Sequence, residues 1–216
     1  MKTGVLKIEI VSDVVCPWCF IGKRRLEKAL TLISRPSEVN IAWKPFELNP
    51  GLPKEGVDRK QYMMAKFGDL EEVEAIHNHV RQAAASAGLD FEFDHIARVP
   101  NTFDAHRLIG FSGQAGLQNQ VVEGLFRAVF LEGKFIGDHE VLSKIGASAG
   151  LARSKVKDFL ASDDGADNVR SEIREAIQRG VQGVPNFRIN NRYVIGGAQP
   201  PEVIAEFLNR AVSTSA

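Results

Sequence analysis

Residues 5–20 read Val5-Leu6-Lys7-Ile8-Glu9-Ile10-Val11-Ser12-Asp13-Val14-Val15-Cys16-Pro17-Trp18-Cys19-Phe20. Leu6, Ile8 and Ile10 alternate with Lys7 and Glu9, the period of a strand, while Val5 and Val11 at the ends point to partial burial of the second face. From Cys16 to about Ile33 the period becomes helical: Phe20, Leu26, Ala29, Leu30 and Ile33 line one side, and Lys23, Arg24 and Arg25 lie mostly on another, a solvated face. The chain has 2 cysteines, and both stand where the strand gives way to the helix.

That placement predicts a reactive thiol pair. A helix N-terminus carries unpaired N–H groups and a partial positive charge, and both favour a thiolate at Cys16. A second sulfur one turn on, Cys19, can resolve the mixed disulfide that the first one forms. Pro17 suits the first helical turn, where its missing N–H would be unpaired anyway. Two buried structural cysteines are the alternative. A zinc site would need four ligands, but there is no second cysteine pair, and His77 and His79 at i, i+2 do not share a helical face; no metal is expected. Two cysteines in 216 residues are not a secreted disulfide framework.

Lys+Arg and Asp+Glu balance at 27 each, so no net field draws the chain to nucleic acid or an anionic membrane. Hydrophobic content of 44% and charged content of 25% are those of a soluble globular protein. Lys7 and Glu9 interrupt the apolar stretch a signal peptide needs, and no run approaches the ~18 apolar residues of a membrane helix. The expected compartment is the cytoplasm, where a thiol pair is kept reduced and acts catalytically or as a sensor.

Residues 39–46 form a second candidate strand, with Val39, Ile41 and Trp43 on one face. Pro45, Pro50, Gly51, Pro53 and Gly56 then mark a loop. Helical periods follow over about 58–67, 69–88, 102–116, 117–132, 138–150 and 153–161, with Asp138 a cap for the fifth. After a helix over roughly 166–179, Gly183-Val184-Pro185-Asn186-Phe187-Arg188-Ile189 reads as a strand entered through a proline. Asn190-Asn191 signals a tight turn, and Arg192-Tyr193-Val194-Ile195 is the returning strand. A last helix starts near Pro200-Pro201, with Val203, Ile204, Phe207, Leu208 and Ala211 on its apolar face. The fold class is therefore α/β: a four-stranded mixed sheet with helices on both sides. It is assembled from residues 1–50 and 166–216, with 51–165 as a large all-helical insertion whose ends both return to the sheet.

This order, with C-x-x-C at the first helix and Val-Pro before the hairpin, resembles the thioredoxin superfamily, and the insertion resembles its DsbA-like branch. Five segments are similar to FrnE-type dithiol oxidoreductases: Asp13-x-x-Cys16-Pro17-Trp18-Cys19, Trp43-Lys44-Pro45-Phe46, Asn101-Thr102-Phe103-Asp104-Ala105-His106-Arg107, Gly183-Val184-Pro185-Asn186-Phe187 and Gly196-Gly197-Ala198-Gln199-Pro200. These proteins share a fold with 2-hydroxychromene-2-carboxylate isomerases and kappa-class glutathione transferases.

The resemblance implies a thiol–disulfide oxidoreductase acting on protein or small-molecule disulfides, with a glutathione-dependent isomerase or transferase as the alternative. It makes Cys16 the exposed nucleophile, Cys19 the buried resolving thiol and Pro185 the cis-proline facing them, with Val184 offering its backbone to an extended substrate. Trp18 is expected to be exposed beside Cys16, ready to stack on substrate. His106 falls near the substrate cleft of the resembling isomerases, although a lone helical histidine is first a structural residue. Asn101 is first an N-cap and second a ligand contact. Gln199 lies where related enzymes hold the γ-glutamyl end of glutathione. The relatives' buried acid six positions before the nucleophile is Ile10 here; Asp13 is either a proton relay to Cys19 or a helix cap. Pro17-Trp18 places no cation between the sulfurs, which favours a reductant or balanced oxidoreductase over a strong oxidant. No cofactor is expected to be bound; glutathione is a candidate co-substrate, and a homodimer is an assembly the resemblance allows.

Overall fold

The computed structural model describes residues 5–33 and 38–213; the outermost residues of the expected sheet domain, 1–4 and 214–216, lie outside them. Strand β1 (Leu6–Ser12) pairs in parallel with β2 (Val39–Pro45), in register from Leu6 opposite Val39 to Ser12 opposite Pro45. Parallel neighbours need a crossover, and helix α1 (Pro17–Leu32) supplies it. On its other edge β1 pairs antiparallel with β5 (Asn186–Ile189), which pairs with β6 (Tyr193–Gly196), giving the sheet order β2-β1-β5-β6. The hairpin turns through Asn190 and Asn191 at φ 47° and 57°, a left-handed region that asparagine tolerates better than most residues with a side chain.

The alternation read along β1 decides what covers each face. Leu6, Ile8 and Ile10 are buried with Phe20, Leu26 and Ala29 of α1 and with Ile204, Leu208 and Ala211 of the last helix. Val11 points the other way and packs on Ala176 and Val181. β1 is central and buried on both sides only at the end that leads into the thiol pair, which explains why Lys7 and Glu9 are accepted nearer its start.

Between β2 and the hairpin the chain runs through β3 (Val57–Asp58), α2 (Arg59–Phe67), α3 (Leu70–Ala85), a short 3-10 turn (Phe93–His95), β4 (Arg98–Val99), α4 (Phe103–Gly113), α5 (Gln118–Phe130), α6 (His139–Ser148), α7 (Arg153–Ala161) and α8 (Ala166–Gln178); α9 (Pro201–Ser213) closes the chain. Asp138 caps α6 by accepting from Glu140 N at 2.8 Å. The fold is thus the thioredoxin-like mixed sheet with a helical insertion. The insertion is not wholly helical, however: β3 and β4 form a two-residue antiparallel ladder, Val57 opposite Val99. It closes where Gly56, at φ +67°, lets the backbone approach Val99 O so nearly that a Cβ would lie 2.5 Å from that oxygen. The insertion and the sheet share one apolar core. Phe20 of α1 stacks on Phe126 of α5 with ring centroids 5.0 Å apart, and Phe91 and Phe130 complete the cluster.

Candidate active site

The sheet ends at Ser12, and the chain turns through Asp13–Val15 into α1. Cys16 N donates to Asp13 O at 3.0 Å, which closes that turn. Cys16 then takes the extended backbone of an N-cap (φ −87°, ψ 112°) with Pro17 next to it. Cys19 N donates to Cys16 O at 3.0 Å, so the second sulfur follows within the first helical turn. Both cysteines are reduced.

The loop before β5 faces them. Cys16 Sγ donates to Val184 O at 3.7 Å, and the Val184–Pro185 peptide bond is cis. Pro185 is buried, and its carbonyl accepts from Gly197 N at 2.8 Å, which ties the loop to the end of the hairpin. α1 approaches closely because residue 22 is glycine; a Cβ there would meet Pro185 Cγ at 3.0 Å and Phe187 Cζ at 3.1 Å.

Two expectations about exposure are corrected. Cys16 is 4% exposed, scarcely more than Cys19 at 1%, and Trp18 is half-buried rather than exposed. For Trp18 the cause is the insertion. α3 brings His79 over α1, with its ring centroid 5.6 Å from that of Trp18, and Trp18 packs against the common core.

Burial pushes the Cys19 thiol well above its ordinary value, and the hydrogen bond and charge of the Cys16 sulfur add to the rise. The Ser12 hydroxyl and the Asp13 backbone N–H oppose it. Ser12 Oγ is near enough to favour a Cys19 thiolate, yet it forms no aligned hydrogen bond with a described residue.

Asp13 is fully buried. Its Oδ2 accepts from Leu48 N at 2.8 Å, so the carboxylate ties down the loop after β2 and is not seen to cap α1. Its Oδ1 lies 3.4 Å from His106 Nε2 but is not aligned for a hydrogen bond, because that nitrogen points to Phe46 O at 3.0 Å. Glu47 completes the group. Burial raises its pKa and the Asp13 charge adds to the rise, while His106 and Arg170 work against them.

The other expected site residues fall in different places. His106 is buried, with Nε2 3.0 Å from Phe46 O and 3.4 Å from Asp13 Oδ1, and it borders a small cavity with Ser12 and Trp43. Asn101 bridges two backbones: Nδ2 donates to Leu52 O at 2.8 Å, and Oδ1 accepts from Phe103 N at 2.9 Å. Gln199 folds onto its own turn, with Nε2 donating to Gly196 O at 2.9 Å. Among the described residues no three His, Cys, Asp or Glu side chains gather in a way that could hold a metal, and no helix is long and apolar enough to cross a membrane. The sequence reading passed over Ser12, Gly22, Trp43 and Glu47 as site residues. Only Ser12, a polar residue ending an apolar strand beside the thiols, carried a signal.

A family model for the DSBA-like thioredoxin domain matches residues 7–209. Among solved structures, a Streptomyces coelicolor protein assigned as a DsbA oxidoreductase superposes with a TM-score of 0.88 at 33% identity, over 96% of this chain and 90% of that one. A 2-hydroxychromene-2-carboxylate isomerase gives 0.71 at 16% identity, over 97% of each chain. The cytosolic disulfide reductase DsbM from Pseudomonas aeruginosa, solved with glutathione, gives 0.68 at 18% identity, over 96% of this chain and 99% of that one. The last two likenesses are of fold.

Proposed function

The chain belongs to the DSBA-like thioredoxin domain family, and from that membership we propose that it is a thiol–disulfide oxidoreductase working through Cys16 and Cys19. One observation carries the reading: two reduced sulfurs share the first turn of α1, with Cys16 Sγ against the backbone of Val184, 3.7 Å from its carbonyl. The Cys16 thiolate attacks one sulfur of a substrate disulfide, forms a mixed disulfide and releases the other sulfur as a thiolate. Cys19 then loses its proton and attacks Cys16 Sγ, which expels the second substrate thiolate. Two electrons have passed to the substrate, and the protein holds a Cys16–Cys19 disulfide. Pro185 and Val184 form the wall against which the substrate lies, and Trp18 forms its floor.

The substrate is a protein or small-molecule disulfide, and the small opening over Cys16 favours an extended, unfolded segment. We place the reaction in the cytoplasm, where the reducing poise keeps the dithiol form available. Glutathione is the thiol that would return the disulfide to that form. The isomerase-like fold supports a second reading, glutathione-dependent isomerisation, but that chemistry has no use for a resolving thiol one turn from the first.

Dithiothreitol-driven reduction of insulin tests the proposal. The native chain should accelerate it, Cys16→Ser should not, and Cys19→Ser should accumulate a mixed disulfide visible by mass. Equal rates for the native chain and Cys16→Ser would remove the reading. Conversion of 2-hydroxychromene-2-carboxylate by Cys19→Ser with glutathione would replace it with the second.

A further inference from the structure

We propose that Arg25 is a positioning residue for the disulfide exchange: its guanidinium holds the turn at Gly197–Gln199 against α1, and through that turn it sets where the Val184–Pro185 backbone stands over Cys16. The inference rests on the oxidoreductase reading and adds to it a residue that fixes how a substrate chain is received.

Read along α1, Arg25 belongs with Lys23 and Arg24 to a solvated face. In the fold it is half-buried, and two of its nitrogens bond segments far away in the chain. Nη1 donates to Ala198 O at 2.5 Å, and Nη2 reaches Ser86 Oγ, at the end of α3, at 3.4 Å. Ser86 Oγ gives its own hydrogen to Ala83 O at 2.7 Å, which leaves a lone pair for the arginine.

The turn needs a donor from outside. Gln199 Nε2 bonds Gly196 O at 2.9 Å, and Gln199 N bonds Gly197 O at 3.0 Å. Ala198 O is the next carbonyl. The residue three places on, whose N–H would close a turn onto it, is Pro201, which has none. Among the described residues Arg25 is the donor that Ala198 O finds. The rigid guanidinium fork can bond two separate segments at once, which a lysine ammonium does less well.

From there the path to the sulfur is short. Gly197 N donates to Pro185 O at 2.8 Å. Pro185 follows Val184, whose carbonyl accepts from Cys16 Sγ at 3.7 Å. The Ala198 methyl packs on the common core, but Arg25, Ser86, Pro200 and Pro201 border an open groove of about 520 Å³. Without the guanidinium the turn has room to move toward that groove, and the Gly197 N–H draws Pro185 and Val184 with it. An extended substrate that bonds the Val184 backbone as an added strand then meets its donor and acceptor out of place. Cys16 gains room, because the loop that lies against it has moved. The contact with Val184 is made alike before and during sulfur exchange, so its loss acts on KM and leaves kcat in place.

Two measurements on the full chain test this: steady-state reduction of a fluorogenic peptide disulfide driven by dithiothreitol, and iodoacetamide labelling of Cys16 followed by mass. Arg25→Met keeps the stem and removes every donor. It should raise KM about tenfold while kcat stays within about twofold of native, and Cys16 should label about threefold faster because access governs a thiol's rate. Arg25→Lys returns a donor and the charge and should recover most of the lost KM. Ser86→Ala removes only the second, longer bond and should raise KM about twofold. Native KM and native labelling in Arg25→Met, whatever its Tm, would overturn the assignment, and so would a loss confined to kcat. Should Arg25→Met fail to fold, a native KM in Ser86→Ala would overturn it. Turnover of the peptide disulfide by Cys16→Ser would instead overturn the oxidoreductase reading beneath it.

Discussion

Replacing Gly22 by alanine sets two effects of known size against each other. Alanine in a helix interior is favoured over glycine by about 1 kcal/mol, so propensity alone predicts a more stable protein. The new Cβ would lie 3.0 Å from Pro185 Cγ, 3.1 Å from Phe187 Cζ and 3.6 Å from Ala198 Cβ, whereas carbon atoms rest about 3.5–4.0 Å apart. Two neighbours must retreat by about half an ångström, and neither can do so freely. Pro185 is buried in a loop held by the Gly197 N–H, and Phe187 is 1% exposed in a strand paired on both edges. Overpacking of this kind costs about 1–3 kcal/mol. Packing therefore wins, with a net loss of about 1 kcal/mol and a fall of about 2–4 °C in Tm for a chain of this length. Gly22→Val should cost about 3 kcal/mol or more. Because the displaced atoms belong to the loop whose Val184 O accepts from Cys16, insulin reduction by Gly22→Ala should fall by about tenfold. Urea denaturation and the insulin assay on the same preparations decide the matter. A Gly22→Ala protein stabilised by about 1 kcal/mol at native activity would show that α1 has room to spare against the loop and that the reasoning fails.

Glu123 accepts from Lys23 and Arg24. Burial raises its carboxyl, but those hydrogen bonds and charges outweigh burial and hold it below its ordinary value; Asp104 behaves likewise through Arg107 and His139. A folded pKa below the unfolded one stabilises the protein above the unfolded value and loses that contribution as pH falls further. Tm should therefore drop below about pH 4.5, and Glu123→Gln should flatten that drop while costing about 2 kcal/mol at neutral pH. His77 is pushed down by burial and by the Arg59 and Arg81 charges, so the unfolded chain binds its proton first. Stability measured by urea midpoint should decline as pH falls below about 6.5, and His77→Gln should lose that decline. Asn101→Ala removes two side-chain bonds to backbone and should cost about 1–2 kcal/mol in thermal unfolding. A raised KM for a small disulfide at unchanged stability would instead give Asn101 a substrate contact.

Much of the fold was legible because its signals are local. The alternation of Leu6, Ile8 and Ile10, the change of period at Cys16 and the Asn190–Asn191 turn each act within a few residues, and each produced the expected element. Helix ends differ by one to three residues where terminal turns stop short, as at Gly113 and Ala85. The β3–β4 ladder was not legible, since two residues cannot display a period of two. The burial of Cys16 and Trp18 was not legible either, because Trp18 is covered by His79 of α3 and Cys16 lies against the Val184 loop, both far away in the chain. The residues around Asp13 were visible one by one and their association was not: Ser12, Trp43 and His106 come from β1, β2 and α4.

The thiol pair at a strand-to-helix junction, the β–α–β start, the returning hairpin and the mainly helical character of residues 51–165 could all be read along the chain, because periodicity and turn chemistry are properties of neighbouring residues. How little of Cys16 reaches solvent, how closely α1 approaches Pro185, and that Ser12, Trp43 and His106 border one small cavity were fixed by the folded whole. Those quantities depend on distances between segments far apart in the chain, and packing of the whole core is what fixes them.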